Sequence, residues 1–286
     1  MHKKITGFIA VALAVAGCAA MAPDLPSITD APTGNRDNGR IVWHDLLTST
    51  PDESMRFYSE LFGWDFERPT MISSGAYYLI RHNGRLIGGL VDANRLGDSE
   101  ISQWVTVISV DDIDAAVDKL EREGGEVLTP PTEVGRRGTL AVVTGSDGAL
   151  FAMVKTRDGD PDEIEPETNG WLWNELWTDD LEKSTRFYQS VFGLTPDDRE
   201  VEDVAYRLLQ SGDTPRAGIL PHPYEDRHPV WVNYIRVDDP TAITSRVEGL
   251  GGQVLLDTQA RDIGGKVAFV AGPSGAGVAL QTWPLD

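Results

Sequence analysis

Trp43-His-Asp-Leu-Leu-Thr48, followed by Ser54-Met-Arg-Phe-Tyr-Ser-Glu-Leu-Phe-Gly63, is the stretch that decides the fold, because the chain contains it twice. The second copy is Trp173-Asn-Glu-Leu-Trp-Thr178 with Ser184-Thr-Arg-Phe-Tyr-Gln-Ser-Val-Phe-Gly193, which gives nine identities in 21 positions without a gap. A repeat of this length indicates a duplicated domain.

The match extends well beyond this stretch at a slightly shorter offset. Trp104 to Asp112 recurs as Trp231 to Asp239, and Gly124-Gly125 recurs as Gly251-Gly252. We therefore predict domain 1 at residues 40–156 and domain 2 at residues 170–286. Residues 157–169, which are acidic and contain two prolines, are the predicted linker.

Within each copy, strand-like and helix-like segments alternate. After the β-rich residues 41–47, Thr50-Pro-Asp-Glu53 predicts a helix start with a capping box, and Gly63 is placed to end the helix. The predicted buried face of this helix, at three- and four-residue spacing, is Met55, Tyr58, Leu61 and Phe62. Three strand-like stretches follow at 64–67, 76–81 and 86–91.

The second half of the copy repeats this order. A strand at 104–110 precedes a helix that Asp112 caps and Gly124 closes, and strands follow at 125–128, 139–144 and 150–155. Each domain is therefore predicted to contain two βαβββ modules.

The first residues have the layout of a secretory signal. Met1-His-Lys-Lys4 precedes an uncharged apolar run that ends in Val15-Ala-Gly-Cys18, and this cysteine is the only one in the chain. We predict a signal peptide at 1–17, because the run is too short to span a membrane. Residues 18–39, rich in Pro, Gly, Asn and Asp, are predicted to be a flexible tether.

The end of this signal resembles a bacterial lipobox, which implies that Cys18 is lipidated and anchors the protein in the cell envelope. The alternative is an ordinary signal peptide that happens to contain a cysteine. Under the sorting rules of lipoproteins, Ala19 favours the outer membrane, with the protein facing the periplasm. The formal net charge of −20 disfavours nucleic acid and anionic headgroups as partners.

The repeated motifs resemble the vicinal oxygen chelate superfamily, which includes glyoxalase I, bleomycin resistance proteins and extradiol dioxygenases. The resemblance rests on the Arg-Phe-Tyr-x-x-(Leu/Val)-Phe-Gly helix and the Val-Asp-Asp element before the second helix, and it covers nearly the whole predicted mature chain. It implies an α+β fold of tandem glyoxalase-like domains, in which each pair of modules forms a curled mixed-sheet cup. In this family the cup holds a divalent metal and a substrate that chelates it.

The positions at which the family places its metal ligands carry unsuitable side chains here. They correspond to Trp43, Val105 and Ala152 in domain 1 and to Trp173, Val232 and Ala279 in domain 2. Tryptophan is only a donor, and the other side chains are apolar. We therefore predict no metal cofactor. His44 is the remaining candidate ligand, but strand alternation turns it away from Trp43.

The cups offer other chemistry. Asp45 and Glu175 are equivalent carboxylates and are candidate general bases. The predicted ligand-binding aromatic residues are Trp43, Trp173, Tyr77, Tyr206, Trp104 and Trp231. An aromatic wall with one acid suits a planar or cationic organic molecule, although the same residues could equally fill the core.

Three functions stay open at this point. The first is metal-independent binding of a small organic molecule, and the second is an enzyme of lyase, isomerase or dioxygenase type with a non-standard or metal-dependent site. The third is a degenerate domain pair that serves as an envelope interaction module. The copies differ at His44, Tyr78 and Val107, which correspond to Asn174, Arg207 and Tyr234, so the two cups need not share a role.

Overall fold

The computed structural model describes residues 24–69, 76–96, 102–224 and 227–284. Domain 1 contains β1 (Ile41–Thr48), α1 (Pro51–Phe62), β2 (Asp65–Glu67), β3 (Tyr77–His82), β4 (Arg85–Asp92), β5 (Gln103–Ser109), α2 (Ile113–Arg122), β6 (Glu126–Glu133), β7 (Gly138–Thr144) and β8 (Leu150–Thr156). Domain 2 contains β9 (Trp171–Thr178), α3 (Leu181–Phe192), β10 (Thr195–Val201), β11 (Val204–Ser211), β12 (Thr214–Pro221), β13 (Val230–Arg236), α4 (Pro240–Val247), β14 (Gln253–Ala260), β15 (Lys266–Ala271) and β16 (Gly277–Gln281). Short 3-10 turns lie at Ala93–Leu96, Gly135–Arg137 and Glu248–Leu250.

Each domain forms one mixed eight-stranded sheet, which confirms the predicted α+β fold of paired modules. The strand order is β2-β3-β4-β1-β5-β8-β7-β6 in domain 1 and β10-β11-β12-β9-β13-β16-β15-β14 in domain 2. The modules of domain 1 join where β1 and β5 pair antiparallel, while β1 with β4 and β5 with β8 pair parallel. The first strand of every module therefore lies at the centre of its sheet.

The ends of the helices follow the predicted signals with one exception. Asp112 caps α2 by accepting a hydrogen bond from the backbone N–H of Ala115, and Gly63 ends α1 in the left-handed conformation. The predicted capping box at Thr50 does not form, because the Thr50 side chain makes no capping hydrogen bond. At the start of α1 the hydroxyl of Thr48 accepts a hydrogen bond from the backbone N–H of Thr50 instead. It also shares a hydrogen bond with the Ser54 hydroxyl.

The helices pack between the two sheets, and the two hydrophobic cores around them are built from both domains. One core combines Phe57 and Phe62 of α1 with residues of domain 2 such as Ile235, Val247 and Val270. The other core combines α2 and β8 of domain 1 with Phe187 and Tyr188 of α3. Phe57, which the amphipathic pattern of α1 did not include, is fully buried because α1 packs against both domains.

Equivalent residues of the two repeats meet where the domains contact each other. Nε2 of His44 lies 2.7 Å from Oδ1 of Asn174, and the Thr106 hydroxyl donates to Oδ1 of Asn233 over 2.8 Å. In the repeat alignment His44 corresponds to Asn174 and Thr106 to Asn233. The two domains are therefore related by an approximate two-fold axis that passes between these pairs.

The described part of the predicted tether, residues 24–39, packs on domain 1 and the linker, so for these residues the prediction of a flexible tether is wrong. The backbone N–H of Thr33 donates to the Asp160 carbonyl, and that of Asp37 donates to the Asp160 carboxylate. Ile28 is buried in a cluster with Trp43 and Val134. The composition of this segment conceals these tertiary contacts. Residues 18–23, with Cys18, lie outside the described residues.

Candidate functional site

The inner face of each sheet, the face turned away from the helices, carries the tryptophan and carboxylate that the sequence singles out. We call the domain 1 face, with Trp43, Asp45 and Tyr77, cup 1, and the domain 2 face, with Trp173, Glu175 and Tyr206, cup 2. Side chains two residues apart on a strand share a face. The structure therefore brings each tryptophan together with its carboxylate and turns His44 to the opposite side.

In cup 1 the carboxylate is held by two aromatic donors. The Tyr77 hydroxyl donates to Oδ1 of Asp45 over 2.7 Å, and Nε1 of Trp43 donates to the same oxygen over 2.9 Å. Burial raises the pKa of Tyr77, so its hydroxyl keeps the proton that it donates.

Arg137, which the sequence analysis missed, fills the space above these residues. Its guanidinium donates to the Tyr77 hydroxyl over 2.8 Å and lies 3.4 Å from Oδ2 of Asp45. It also lies 5.0 Å from the ring centre of Trp43 and 5.2 Å from that of Tyr77. Arg137 is only 1% exposed, so a cation of the chain itself occupies cup 1.

The N-terminal segment covers cup 1 from the outside. The carbonyls of Leu25 and Pro26 accept hydrogen bonds from the backbone N–H and the Nε of Arg137. Ile28 packs into the cup cluster and is 1% exposed. Cup 1 is therefore closed by its own chain.

In cup 2 the carboxylate of Glu175 is 5% exposed and receives three hydrogen bonds. Tyr206 donates to Oε1 over 3.1 Å, while Tyr234 and, over 3.4 Å, Nε1 of Trp177 donate to Oε2. Burial raises the pKa of Glu175, and the hydrogen bonds from Tyr234, Tyr206 and Trp177 and the charge of Arg261 oppose this shift without reversing it.

The walls of cup 2 remain partly open. Trp173, Trp177 and Phe269 are half-buried, whereas the corresponding residues of cup 1, Trp43, Leu47 and Val142, are buried. The ring of Trp177 lies 5.5 Å from that of Phe269 and 5.6 Å from that of His222, centre to centre. Trp177 lies two residues after Glu175, and Tyr234 lies two residues after Val232. Strand alternation therefore predicts that both side chains face cup 2, although the sequence analysis did not name them as binding residues.

Two of the predicted ligand-binding residues lie elsewhere. Trp104 and Trp231 point into the helix layer, where their indole N–H groups donate to the hydroxyls of Tyr58 and Tyr188 over 2.9 and 3.3 Å. The structure therefore does not bring them together with Asp45 or Glu175. They belong to the two cores shared by the domains.

His44 lies between the domains and not in a cup. Its ring packs against Trp171 at 4.2 Å between centres, and burial lowers its pKa to about 4. A groove of about 920 Å³ runs along this contact and is lined by His44, Trp171, Trp173 and the linker, but not by Asp45 or Glu175. The chemistry-bearing groups thus concentrate in the cups.

The donor set of the cups does not fit a divalent metal. Trp43 pairs with Val107, which pairs with Ala152, and Val105 pairs with Asp45, so these positions lie side by side on one sheet. In cup 2, Trp173 pairs with Tyr234, which pairs with Ala279, and Val232 pairs with Glu175. Each cup offers a single carboxylate, and the described residues contain no group of three or more His, Cys, Asp or Glu placed to hold a metal.

The chain is similar in sequence to a known family and to several named proteins. The profile of the "Glyoxalase/Bleomycin resistance protein/Dioxygenase superfamily" matches residues 40–153 and 171–280. The Mycobacterium bovis protein CFP32, whose name describes it as a glyoxylase, is 30% identical over 82% of this chain and 91% of its own length. The Streptomyces peucetius protein DnrV, named for anthracycline biosynthesis, is 28% identical over 85% of this chain and 92% of its own.

Solved structures share the fold. The Mn(II)-bound glyoxalase from Novosphingobium aromaticivorans aligns with a TM-score of 0.61 and 16% identity. The alignment covers 86% of this chain and 83% of that one. At this identity the likeness establishes the architecture and leaves the chemistry of the cups to be argued from their own residues.

Proposed function

This chain belongs to the Glyoxalase/Bleomycin resistance protein/Dioxygenase superfamily, and we propose that it binds a small, flat organic molecule in cup 2 without a metal ion. The observation that carries this proposal is the contrast between the cups. Arg137 and Ile28 close cup 1, whereas cup 2 presents half-buried aromatic walls around the buried Glu175.

The walls of cup 2 suit a ring system. Trp173, Trp177 and Phe269 are aromatic and only half-buried, and flat ligands gain stacking as well as hydrophobic contact on aromatic rings. The name of the relative DnrV is consistent with this class, because anthracyclines are flat polycyclic molecules.

The base of cup 2 supplies polarity and a fixed orientation. Glu175 is held by Tyr206 and Tyr234, which position its carboxylate before a ligand arrives. A few convergent polar groups at the end of an apolar cavity are typical of small-molecule sites. The neighbouring side chains of Val232 and Ala279 have no atoms that could ligate a metal. The proposed binding therefore depends on Glu175, the two tyrosines and the aromatic walls.

Tryptophan fluorescence tests the proposal. Chelator-treated protein is titrated with two flat tricyclic probes of equal size, the cation proflavine and the neutral acridone. We expect quenching with a stoichiometry of one. Trp177→Leu, which installs the residue of cup 1, should weaken binding at least tenfold because the stacking face is removed.

The matched control is Trp283→Leu, because Trp283 is an exposed tryptophan of domain 2 and is not among the three donors to Glu175. It should bind both probes as the wild type does. Binding that needs an added divalent metal, or that survives Trp177→Leu unchanged, would contradict the proposal.

An enzyme of the superfamily that uses Glu175 as a general base is the second candidate, and one observation favours it. Burial raises the pKa of Glu175, which brings a carboxyl closer to the range where it can take up and return a proton near neutral pH. The variant Glu175→Gln should then still bind the ligand but lose catalytic turnover. Loss of turnover in Asp45→Asn with unchanged Glu175→Gln activity would assign the chemistry to cup 1 instead.

We also propose that Cys18 carries a lipid that anchors the protein in the cell envelope. In the described part of the chain no helix combines the length and apolarity needed to cross a membrane. Metabolic labelling with an alkyne fatty acid tests the anchor. Labelling that is absent in the wild type, or that persists in Cys18→Ser, would refute it.

A further inference from the structure

We propose that the molecule bound in cup 2 is an organic cation, an ammonium, amidinium or guanidinium on a flat body, whose charged group lies between Glu175, Trp173 and Tyr206. This inference rests on the proposed binding function of cup 2 and adds the charge of the ligand. It follows from cup 1, where the chain supplies such a cation to the corresponding residues.

Cup 1 shows what this arrangement of residues holds. The guanidinium of Arg137 lies 5.0 Å from the Trp43 ring centre and 5.2 Å from that of Tyr77, so two π-faces flank it. Asp45 lies 3.4 Å away and supplies the negative charge. Two aromatic faces and one carboxylate are the usual surroundings of a bound organic cation.

Cup 2 repeats these three partners. Trp173 and Glu175 lie on β9 where Trp43 and Asp45 lie on β1, and each carboxylate pairs with a valine of the next strand. The Tyr206 hydroxyl bonds the carboxylate of Glu175 as Tyr77 bonds Asp45. Cup 2 therefore has the cation-binding partners of cup 1.

The arginine itself is missing from cup 2. Glu133 pairs with Thr139 in the hairpin of domain 1 as Ala260 pairs with Lys266 in that of domain 2, so the two hairpin loops have equal length. In this register Arg137 corresponds to Gly264, which has no side chain to send into the cup. The position of the guanidinium in cup 1 is thus available to a ligand in cup 2.

The nearest cation of domain 2 does not take this position. Arg261 donates to Oε1 of Gln281 over 2.8 Å and lies 3.5 Å from Oε1 of Glu202. In the described part of the chain no ion pair joins Arg261 to Glu175, although its charge partly opposes the raised pKa of that carboxyl. The hydrogen bonds to Glu175 come from phenol and indole donors, and a bound cation would add a countercharge in direct contact with the carboxylate.

The residues that distinguish cup 2 also favour a cation. Leu47, Val107 and Val142 of cup 1 are replaced by Trp177, Tyr234 and Phe269 in cup 2. Each replacement adds an aromatic ring, and aromatic rings attract cations through their negative faces. Cup 2 is therefore the more aromatic of the two, and Arg137 of cup 1 has Gly264 as its counterpart there.

Affinity for a cation and for a neutral ring of the same size tests the inference. The full chain, without chelatable metal, is titrated with proflavine and with acridone, and the probe's own fluorescence anisotropy is followed. We expect proflavine to bind at least tenfold more tightly than acridone. Glu175→Gln should remove this preference and leave the affinity for acridone unchanged within twofold.

A charge control is needed because the chain carries a formal net charge of −20 and attracts cations at long range. Asp213→Asn removes one negative charge from an exposed hairpin of the same domain. It should keep the tenfold preference at a physiological ionic strength of about 0.15 M, where distant charges are screened.

The outcomes separate this inference from the binding function. Preference for proflavine that disappears in Glu175→Gln and persists in Asp213→Asn supports it. If acridone binds as tightly as proflavine or more tightly, the inference of a cationic ligand is wrong, while the proposed binding of flat molecules stands. A preference for proflavine that survives in Glu175→Gln has the same meaning. If neither probe binds, the binding function and the inference both fail.

Discussion

His44 and Asn174 occupy the same position in the two repeats, and the structure places them against each other, with Nε2 of His44 2.7 Å from Oδ1 of Asn174. Because Oδ1 only accepts, Nε2 carries a proton. Burial lowers the pKa of His44 to about 4, so the ring is neutral near pH 7. Nδ1 is buried and has no hydrogen-bond partner among the described residues. The contact is therefore built for the uncharged imidazole.

This contact predicts a loss of stability in acid. Burial lowers the pKa of His44 from 6.5 to about 4. Below pH 6.5 the unfolded chain binds a proton that folded His44 does not accept until about pH 4, so the free energy of unfolding falls across this window. The total is about 3 kcal/mol, since one pKa unit corresponds to about 1.4 kcal/mol.

Urea unfolding at intervals between pH 4 and 7 measures this dependence. His44→Gln should flatten the slope, whereas His228→Gln, which changes an exposed histidine, should keep it. An unchanged slope in His44→Gln would mean that the acid lability arises from other groups.

Glu175 contributes the opposite dependence, in a window that begins at pH 4.5 and overlaps that of His44, so the two contributions are separated by the single substitutions. Burial raises its pKa above the ordinary value of 4.5, so the folded state holds a proton that the unfolded state has already released. The free energy of unfolding therefore decreases as the pH rises from 4.5 through the raised pKa.

Glu175→Gln removes this loss, and we expect its Tm to exceed that of the wild type at pH 8 and to approach it near pH 4.5. Thermal unfolding followed by circular dichroism provides the measurement. A variant that is less stable than wild type at pH 8 would show that the three hydrogen bonds to the carboxylate outweigh its desolvation. If Glu175→Gln is more stable than the wild type but binds cations more weakly, the wild-type carboxylate lowers stability in favour of binding.

The sequence carries the parts of the fold that follow from periodicity and repetition. The alternation of β1 places Trp43 and Asp45 on one face and His44 on the other, as the structure has them. The same rule turns Trp104 away from the cup once Val105 faces into it, and Trp104 pairs with Leu46 on the helix side. Alternation within a strand thus predicts its faces when it is applied to every residue.

The occupant of cup 1 could not be predicted in this way. Arg137 lies in a short turn between two strands, and no pattern fixes the direction of its side chain. Its position depends on Asp45, which is distant in sequence, and on carbonyls of the N-terminal segment. These are tertiary contacts between segments that have no common periodicity, so the closure of cup 1 emerges only in the folded chain.

Ile28 should behave as a core residue although it precedes the first strand. It is 1% exposed in the cluster of cup 1, so Ile28→Ala removes buried methyl groups and leaves a cavity. We expect a loss of about 2–4 kcal/mol in the free energy of unfolding by urea.

The control uses the same side chain in the linker. Ile164 is 46% exposed, and Ile164→Ala should change the free energy of unfolding by less than about 0.5 kcal/mol. Equal effects of the two substitutions would mean that the N-terminal segment does not cover cup 1 in solution.

The joint core of the two domains makes a further prediction at a glycine of domain 2. A Cβ placed on Gly252 would lie 2.5 Å from Cε2 of Phe57, a residue of domain 1, and 2.6 Å from the carbonyl oxygen of Ala271. Neither neighbour can give way cheaply, because Phe57 is fully buried in the core between the domains and the carbonyl belongs to β15. Gly252→Ala should therefore lower the Tm by several degrees and destabilise both domains together, since overpacking a core costs about 1–3 kcal/mol.

Gly249→Ala is the matched control, because a Cβ there meets no atom within 4 Å. Differential scanning calorimetry distinguishes the possibilities, since one cooperative transition that shifts only in Gly252→Ala is the signature of a shared core. Two separate transitions, of which only one shifts, would show that the domains unfold independently and that their contact contributes little to stability.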